Sequence, residues 1–136
     1  MRDGQVTGNQ HVPRMDNDVT HQIIGAAMKV HSALGPGLLE SAYRECLYHE
    51  LLKSGLQVEK EFPIPLKYDG IIMAVSYRAD LLVERTVIVE TKAVKKTTDT
   101  DVAQLLSHLR VGDFRIGLLI NFHVRHLRHG ITRMVN

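Results

Sequence analysis

Apolar residues recur with two different periods along this chain, and these periods divide it into helices and strands. From Val19 they return every three or four residues until the glycine-proline-glycine break at 35–37, which predicts an amphipathic helix with Asn17 or Asp18 as its cap. The same spacing resumes after this break and predicts a second helix that ends near Ser54. The ordered part of the chain is therefore expected to begin with two helices.

Strand patterns occupy the middle of the chain. Residues 57–68 alternate between charged and apolar side chains but include two prolines, which favours an edge strand. A turn at Asp69-Gly70 leads into 71–77 and then into the apolar run 81–83. A short polar break separates this run from a second one, 87–89, which predicts a further hairpin.

The last third combines a helix with a buried strand. Residues 100–110 have helical spacing, with Asp101 and Gln104 placed as a capping pair, and 115–122 form an apolar run of strand length. Ile131–Val135 is a possible last strand. The predicted order is α-α-β-β-β-β-α-β. It describes an α/β (α+β) domain whose mixed β-sheet is flanked by helices on both faces, because the second hairpin is apolar on both sides.

Length and composition fit one small domain. The 136 residues allow a single core, expected over 19–136, and the polar residues 1–18 are expected to form a disordered tail. The one cysteine, Cys46, excludes an internal disulfide and an all-cysteine metal site. No stretch reaches the ~20 apolar residues of a membrane span, and the polar N-terminus lacks a signal-peptide core. A cytoplasmic location without a membrane partner is expected.

Acidic residues lie at the open end of the second hairpin. If the turn at 84–86 has an odd number of residues, Val83 pairs with Val87 and Asp80 falls opposite Glu90, with Cβ atoms roughly 5 Å apart. A two-residue turn would instead send Glu90 to the far face. The turn lacks the glycine, asparagine or aspartate that two-residue turns favour, so the odd register is predicted.

Two carboxylates this close repel each other, and their removal from water adds to the cost, so an accompanying cation is expected. Mg²⁺ (or Mn²⁺) suits such a pair, because hard cations take one or two carboxylates and complete their shell with water. Lys92 is predicted on the face of Glu90, since side chains alternate along a strand. The alternative is that Asp80 and Glu90 are ordinary strand-end charges, with Lys92 forming an ion pair with Glu90.

Charge is unevenly distributed. The formal net charge is only +2, but basic side chains are concentrated in the last third. These residues are Arg110, Arg115, Arg125, Arg128 and Arg133, with His108, His123, His126 and His129. The i+3 spacing of the last three histidines would suit zinc on a helix, but their context resembles a loop or strand.

Several motifs occur in a fixed order. They are Gly37-Leu38-Leu39-Glu40-Ser41-Ala42-Tyr43, Tyr77-Arg78-Ala79-Asp80, Glu90-Thr91-Lys92-Ala93, Gln104-Leu105-Leu106 and the run 117–122. Together they resemble the PD-(D/E)XK nuclease superfamily, and more closely its small GxxExxY proteins, over about 19–122. One E-x-K motif alone is a weak signal, whereas the ordered set is specific. Alanine stands before the aspartate where the superfamily name has proline.

The resemblance implies a restriction-endonuclease-like core and a role for each matching residue. It implies that Asp80 and Glu90 bind metal, that Lys92 is the catalytic lysine, that Glu40 completes the metal site and that Gln104 is an auxiliary catalytic residue. Read from the chain alone, Glu40 could instead be a favourable charge at a helix N-terminus, and Gln104 could only cap its helix. His31 and Tyr43, on apolar stripes, are interpreted as a hydrogen-bonded structural histidine and a packing residue.

Two functions from different classes follow. The first is a metal-dependent nuclease that hydrolyses phosphodiester bonds, with DNA favoured over RNA and a homodimer as a possible assembly. The second is a nucleic-acid-binding accessory module on the same fold, with little or no turnover. The intact acidic pair and lysine favour the first. Either function would use basic side chains to contact backbone phosphates: Lys95, Lys96, Arg125 and Arg128.

Overall fold

A computed structural model describes the backbone of residues 11–136 and the side chains of residues 17–136. In chain order the elements are α1 (His11–Leu34), α2 (Glu40–Lys53), β1 (Val58–Tyr68), β2 (Ile71–Val83), β3 (Val87–Lys92), α3 (Asp99–Gly112), β4 (Ile116–Asn121), a 3₁₀ turn (Leu127–Gly130) and β5 (Ile131–Val135). Residues 1–10 of the expected tail lie outside the described range. Residues 11–18 belong to α1, so Asn17 and Asp18 lie inside this helix and do not cap it.

The strand count before α3 differs from the prediction. Four strands were expected there, and the structure has three, because Ile71–Val83 is one continuous strand. No glycine or proline interrupts this segment, and β2 pairs with β1 along most of its length. The predicted last strand is confirmed as β5.

The five strands form one mixed sheet in the order β1-β2-β3-β4-β5. Neighbours are antiparallel except β3 and β4, which α3 connects as parallel strands. The predicted cover on both faces is confirmed by two clusters of buried side chains. Those between the sheet and α1 with α2 include Ile23, Ala27, Tyr43, Leu47, Leu81 and Leu118. Those between the sheet and α3 include Leu82, Ile88, Leu105, Leu109 and Leu119.

The second hairpin has the predicted odd register. Val83 pairs with Val87, and the pairing continues to Leu81 with Val89. The intervening turn is 84–86, where the first two residues adopt φ of 52° and 56°. Strands β2 and β3 are therefore aligned so that Asp80 and Glu90 follow the last pair.

Strand β2 changes face at Asp80. Strict alternation would place Ala79 and Leu81 on one face, but Ala79 packs on the α3 side together with Leu82, while Leu81 packs on the α1 and α2 side. On the neighbouring strand, Glu61 adopts a left-handed φ of 51°. This irregularity places Asp80 between the two faces of the sheet.

Two polar side chains of α1 and α2 hold neighbouring loops in place. His31 Nε2 lies 2.7 Å from the carbonyl oxygen of Val124. The hydroxyl of Tyr43 donates to the carbonyl of Gly35 (2.6 Å) and accepts from the amide of Leu38 (3.0 Å), while its ring stacks on Phe122 at 4.6 Å. Both interpretations, a structural histidine and a packing tyrosine, are confirmed.

The cap of α3 lies earlier than predicted. Thr98 Oγ1 accepts from the amide of Asp101, and the Asp101 carboxylate accepts from the amide of Thr98, which completes a capping box. The expected pair of Asp101 with Gln104 is wrong, because the helix begins at Asp99. Among the helices of residues 11–136, none has the length and apolar content that crossing a membrane requires.

Candidate active site

The predicted acidic residues and the lysine come from three elements that meet at one end of the sheet. Glu40 is the first residue of α2, Asp80 marks the face change of β2, and Glu90 and Lys92 end β3. Helix α3 covers the last two. The electrostatic influence of Asp80 extends to Glu40 and Glu90.

Asp80 is fixed by the strand beside it. Its Oδ2 accepts hydrogen bonds from the amide of Thr91 (2.8 Å) and from the Thr91 hydroxyl (2.9 Å). Thr91 is fully buried, so these donors cannot be replaced by bulk water. Oδ1 of Asp80 makes no hydrogen bond with the side chains and backbone that the structure describes, which leaves it open to a ligand.

Glu90 and Lys92 face α3, as alternation predicted for them. Glu90 Oε2 lies 3.9 Å from His108 Nδ1, and Lys92 Nζ lies 3.9 Å from Asp101 Oδ1. Within residues 17–136 the ion pair of Lys92 is therefore with Asp101, and the alternative of a pair with Glu90 is wrong. Asp80 departs from the single face that was expected, because its carboxylate turns towards Thr91.

Negative charge is crowded at this end of the sheet. Burial raises the pKa of Glu40, the charge of Asp80 raises it further, and Lys92 and Arg44 work against both effects. Burial likewise raises the pKa of Glu90; His108 counteracts this rise and the charge of Asp80 adds to it. The arrangement disfavours ionised carboxylates unless a cation accompanies them.

The donor atoms fit a hard divalent cation. Glu90 Oε2 is buried without a hydrogen-bond partner in the described chain, and on the neighbouring strand the hydrogen bonds from Thr91 engage only Oδ2 of Asp80. Carboxylate oxygens completed by water are the ligands that Mg²⁺ prefers. In residues 17–136, however, no three acidic, histidine or cysteine side chains converge closely enough to hold a metal together. The metal roles of Glu40, Asp80 and Glu90 therefore stay predictions.

The predicted basic residues are exposed near the same end. Lys95 and Lys96 lie on the loop after β3, and Arg125 and Arg128 line a groove of about 550 Å³ together with His31, Pro36 and Leu127. Because β3 and β4 are parallel, Lys92 pairs with Asn121 and the segments that follow both strands leave the sheet together. A polyanion that reaches the acidic residues would meet these cations.

Comparison with protein families decides what this arrangement is. Residues 17–134 match the model of the PD-(D/E)XK nuclease superfamily. The chain belongs to this superfamily. Comparisons with curated proteins and with solved structures gave no match. The resemblance seen in the sequence is confirmed at this level, and so is the α+β, restriction-endonuclease-like fold. Nuclease-like chemistry, a nucleic-acid substrate and a general dependence on divalent metals accompany the superfamily.

Gln104 lies on the helix that faces the PD-(D/E)XK motif. It is exposed and lies one turn from both Asp101 and His108, so helical spacing places it on their side of α3. No contact joins it to Asp80 or Glu90 in the structure. Its auxiliary role in this superfamily member stays a prediction.

Two residues of this PD-(D/E)XK site were missed by the sequence argument. Thr91 was named only within the Glu90-Thr91-Lys92-Ala93 motif, although a hydroxyl at a position that points into the core was a signal that it serves a buried acceptor. His108 was counted only among the basic residues. It shares its helix face with Gln104, but only the packing of α3 on β3 shows that it reaches Glu90.

Proposed function

We propose that this chain is a metal-dependent nuclease that hydrolyses phosphodiester bonds, acting on DNA in preference to RNA. The observation that carries the proposal is the buried Glu90 Oε2, which has no hydrogen-bond partner among the described residues, on the strand beside Asp80 and two positions before Lys92. Two unneutralised acids in a half-buried position are costly, and a site that only folds the chain has no need of them.

The residues divide the work of hydrolysis. Asp80 and Glu90 would hold Mg²⁺ or Mn²⁺, and Glu40 would hold a water molecule of its shell. Such an ion polarises the attacking water and the scissile phosphate. Lys92, restrained by Asp101 at 3.9 Å, would orient that water or neutralise charge that develops on the phosphoryl oxygens. Gln104 would position water or phosphate; its amide cannot titrate and so cannot act as a base.

Substrate affinity would come from the basic rim. Lys95, Lys96, Arg125 and Arg128 would contact backbone phosphates, which positions a strand without reading its sequence. The groove between α1 and the 3₁₀ turn is lined in part by Gly35 and Pro36, which belong to the segment that precedes Glu40, and a bound strand would occupy it. Cutting of both strands of a duplex would need two copies, which makes a homodimer the assembly to test.

The experiment combines substrates, metals and variants. The purified full chain is incubated with single- and double-stranded DNA and RNA in Mg²⁺, Mn²⁺ or EDTA. Cleavage is expected with either ion, absent in EDTA, and lost in Glu90→Ala and Lys92→Ala. Gln57→Ala, an exposed residue at the opposite end of the hairpin, is the matched control and should retain activity. Cleavage that survives in Glu90→Ala would contradict the proposal.

A second function is favoured by one observation. In residues 17–136 no third acidic, histidine or cysteine side chain joins Asp80 and Glu90 in a set that could hold a metal ion. A nucleic-acid-binding module with weak or absent turnover would need no more. Binding without cleavage under every metal, with affinity unchanged in Lys92→Ala, would favour this module over the nuclease.

A further inference from the structure

Two buried polar atoms face each other across the boundary between β3 and α3. Glu90 Oε2 and His108 Nδ1 lie 3.9 Å apart, and neither has a hydrogen-bond partner among the residues that the structure describes. Folded proteins pair the large majority of such atoms, because an unpaired buried polar atom costs about 1–3 kcal/mol. Two such atoms that face each other are unusual, and a functional role would account for them.

The position of His108 is set by the packing of α3, not by Glu90. Leu105 and Leu109, its neighbours on the helix, are buried against the sheet. The imidazole ring packs against the ring of Tyr77 on β2, with centroids 5.1 Å apart and planes tilted by 33°. The ring is thus held beside the strand by contacts that do not involve Glu90.

We propose that His108 is a positioning residue for Glu90. Because a carboxylate oxygen only accepts, His108 Nδ1–H would donate to one lone pair of Oε2 and leave the other directed at the metal. A hydrogen bond of this kind is about 2.9 Å long, so a carboxylate shift of about 1 Å would form it. The inference rests on the proposed function, since the bond matters only if Glu90 holds a cation.

A direct ligand role for His108 is the weaker interpretation of the same contact. No three acidic or histidine side chains of residues 17–136 approach one another closely enough for a shared ion. In metal sites generally, carboxylate ligands are themselves held by hydrogen bonds, and the loss of such a partner costs about 10–100-fold in metal affinity or activity. His108 satisfies this description through its contact with Glu90.

The test compares two substitutions of His108. His108→Leu removes the donor and keeps similar bulk, whereas His108→Asn places an amide nitrogen near the position of Nδ1. Mn²⁺ binding to the EDTA-treated full chain is measured by calorimetry. His108→Leu is expected to weaken binding by about 10-fold or more. His108→Asn should recover most of the affinity. His49→Leu, which replaces an exposed histidine on α2, should bind as the unmodified chain does.

Two further readouts separate positioning from folding. In the cleavage assay, kcat should fall in His108→Leu while KM for nucleic acid stays constant, because the substrate contacts are untouched. In the unmodified chain, the Nδ1 proton of His108 should become observable by NMR when Mg²⁺ is added. This spectrum does not depend on whether a variant folds.

Each result has a defined meaning. Equal Mn²⁺ affinity in His108→Leu and the unmodified chain would overturn the role of His108 and leave the nuclease proposal standing. Equal weakening in His108→Leu and His108→Asn would also overturn it, because shape and not the donor would then matter. An unmodified chain that binds no metal, with or without nucleic acid, would overturn both proposals.

Discussion

Glu90 is in an unfavourable environment for an ionised carboxylate. Its side chain is only 14% exposed, its Oε2 lacks a partner within the described chain, and Asp80 adds a like charge. Burial raises the pKa of this carboxyl because the ionised form loses its hydration. A residue in this state is expected to lower the stability of the metal-free protein.

This environment predicts that Glu90→Gln raises the free energy of unfolding, and that the increase depends on pH. A raised pKa means that the folded state holds the proton more tightly than the unfolded state. The contribution of Glu90 is therefore fully favourable below its unfolded pKa of about 4.3 and is lost as the pH rises through its folded pKa. At pH 7 in EDTA the variant should be more stable by about 1–3 kcal/mol, because an uncharged amide loses less hydration on burial than a carboxylate does.

Calorimetric unfolding in EDTA at several pH values checks this prediction. The difference between Glu90→Gln and the unmodified chain should disappear near pH 4. Glu59→Gln replaces an acid whose partner is the exposed Arg85, at 2.6 Å, and should give no gain at pH 7. A Glu90→Gln protein that is less stable than the unmodified chain at pH 7 would show that the buried charge is compensated.

At the scale of elements, features that depend on adjacent residues could be predicted from the sequence. The odd turn at 84–86 determined the register of β2 and β3, because the parity of a turn and the alternation of side chains are properties of adjacent residues. The approach of Asp80, Glu90 and Lys92 followed from that register. The face change at Asp80 did not, since it depends on the left-handed backbone of Glu61 on the neighbouring strand.

Contacts between elements that are distant in the sequence could not be predicted from these local patterns. His108 reaches Glu90 only because α3 packs on the sheet, and a helix pattern does not specify which strand residue lies under a given turn. The strand β2 was divided in two because its apolar runs are separated by Ser76, Arg78 and Asp80. Pairing with β1 keeps it continuous, and that pairing is a tertiary property.

The loop after β3 is tied to the end of β4 by one side chain, and this predicts the effect of Asn121→Ala. Asn121 is buried; its Oδ1 accepts from the amide of Val94 (3.1 Å) and its Nδ2 donates to the carbonyl of Val94 (2.8 Å). Oδ1 also accepts from the amide of His123 (3.2 Å), so removal of the side-chain amide leaves three backbone groups without these partners. The free energy of unfolding should fall by about 1–3 kcal/mol.

Urea denaturation measures that decrease, and hydrogen exchange locates it. The amide of Val94 should exchange faster in Asn121→Ala, because the loop that carries Lys95 and Lys96 is released. Asn136→Ala removes an exposed asparagine that donates to the carbonyl of Phe114 and is the matched control. Unchanged exchange at Val94 would mean that the loop is held by other contacts.

The whole molecule combines an acidic centre with a basic rim at one end of the sheet. The acids Glu40, Asp80 and Glu90 would repel a phosphate backbone, and the exposed cations around them would attract it. With a net charge of only +2, attraction depends on where the cations lie and not on their number. The affinity for nucleic acid should therefore depend on where a positive charge is removed. Removal of a cation from the basic rim should weaken binding more than removal of a cation elsewhere.

The double variant Arg125→Gln/Arg128→Gln tests that dependence on position. Removal of one cation that neutralises a phosphate should reduce the slope of log K against log salt by about 0.9 for duplex DNA and about 0.7 for a single strand, so removal of two changes it by about 1.4–1.8. Binding is measured by fluorescence anisotropy in EDTA, where cleavage cannot interfere. The control is Lys53→Gln/Arg85→Gln, which removes the same charge at the far end of α2 and at the hairpin turn. If both variants change the slope equally, net charge and not the position of the cations governs binding; if only the first does, the two arginines contact phosphates.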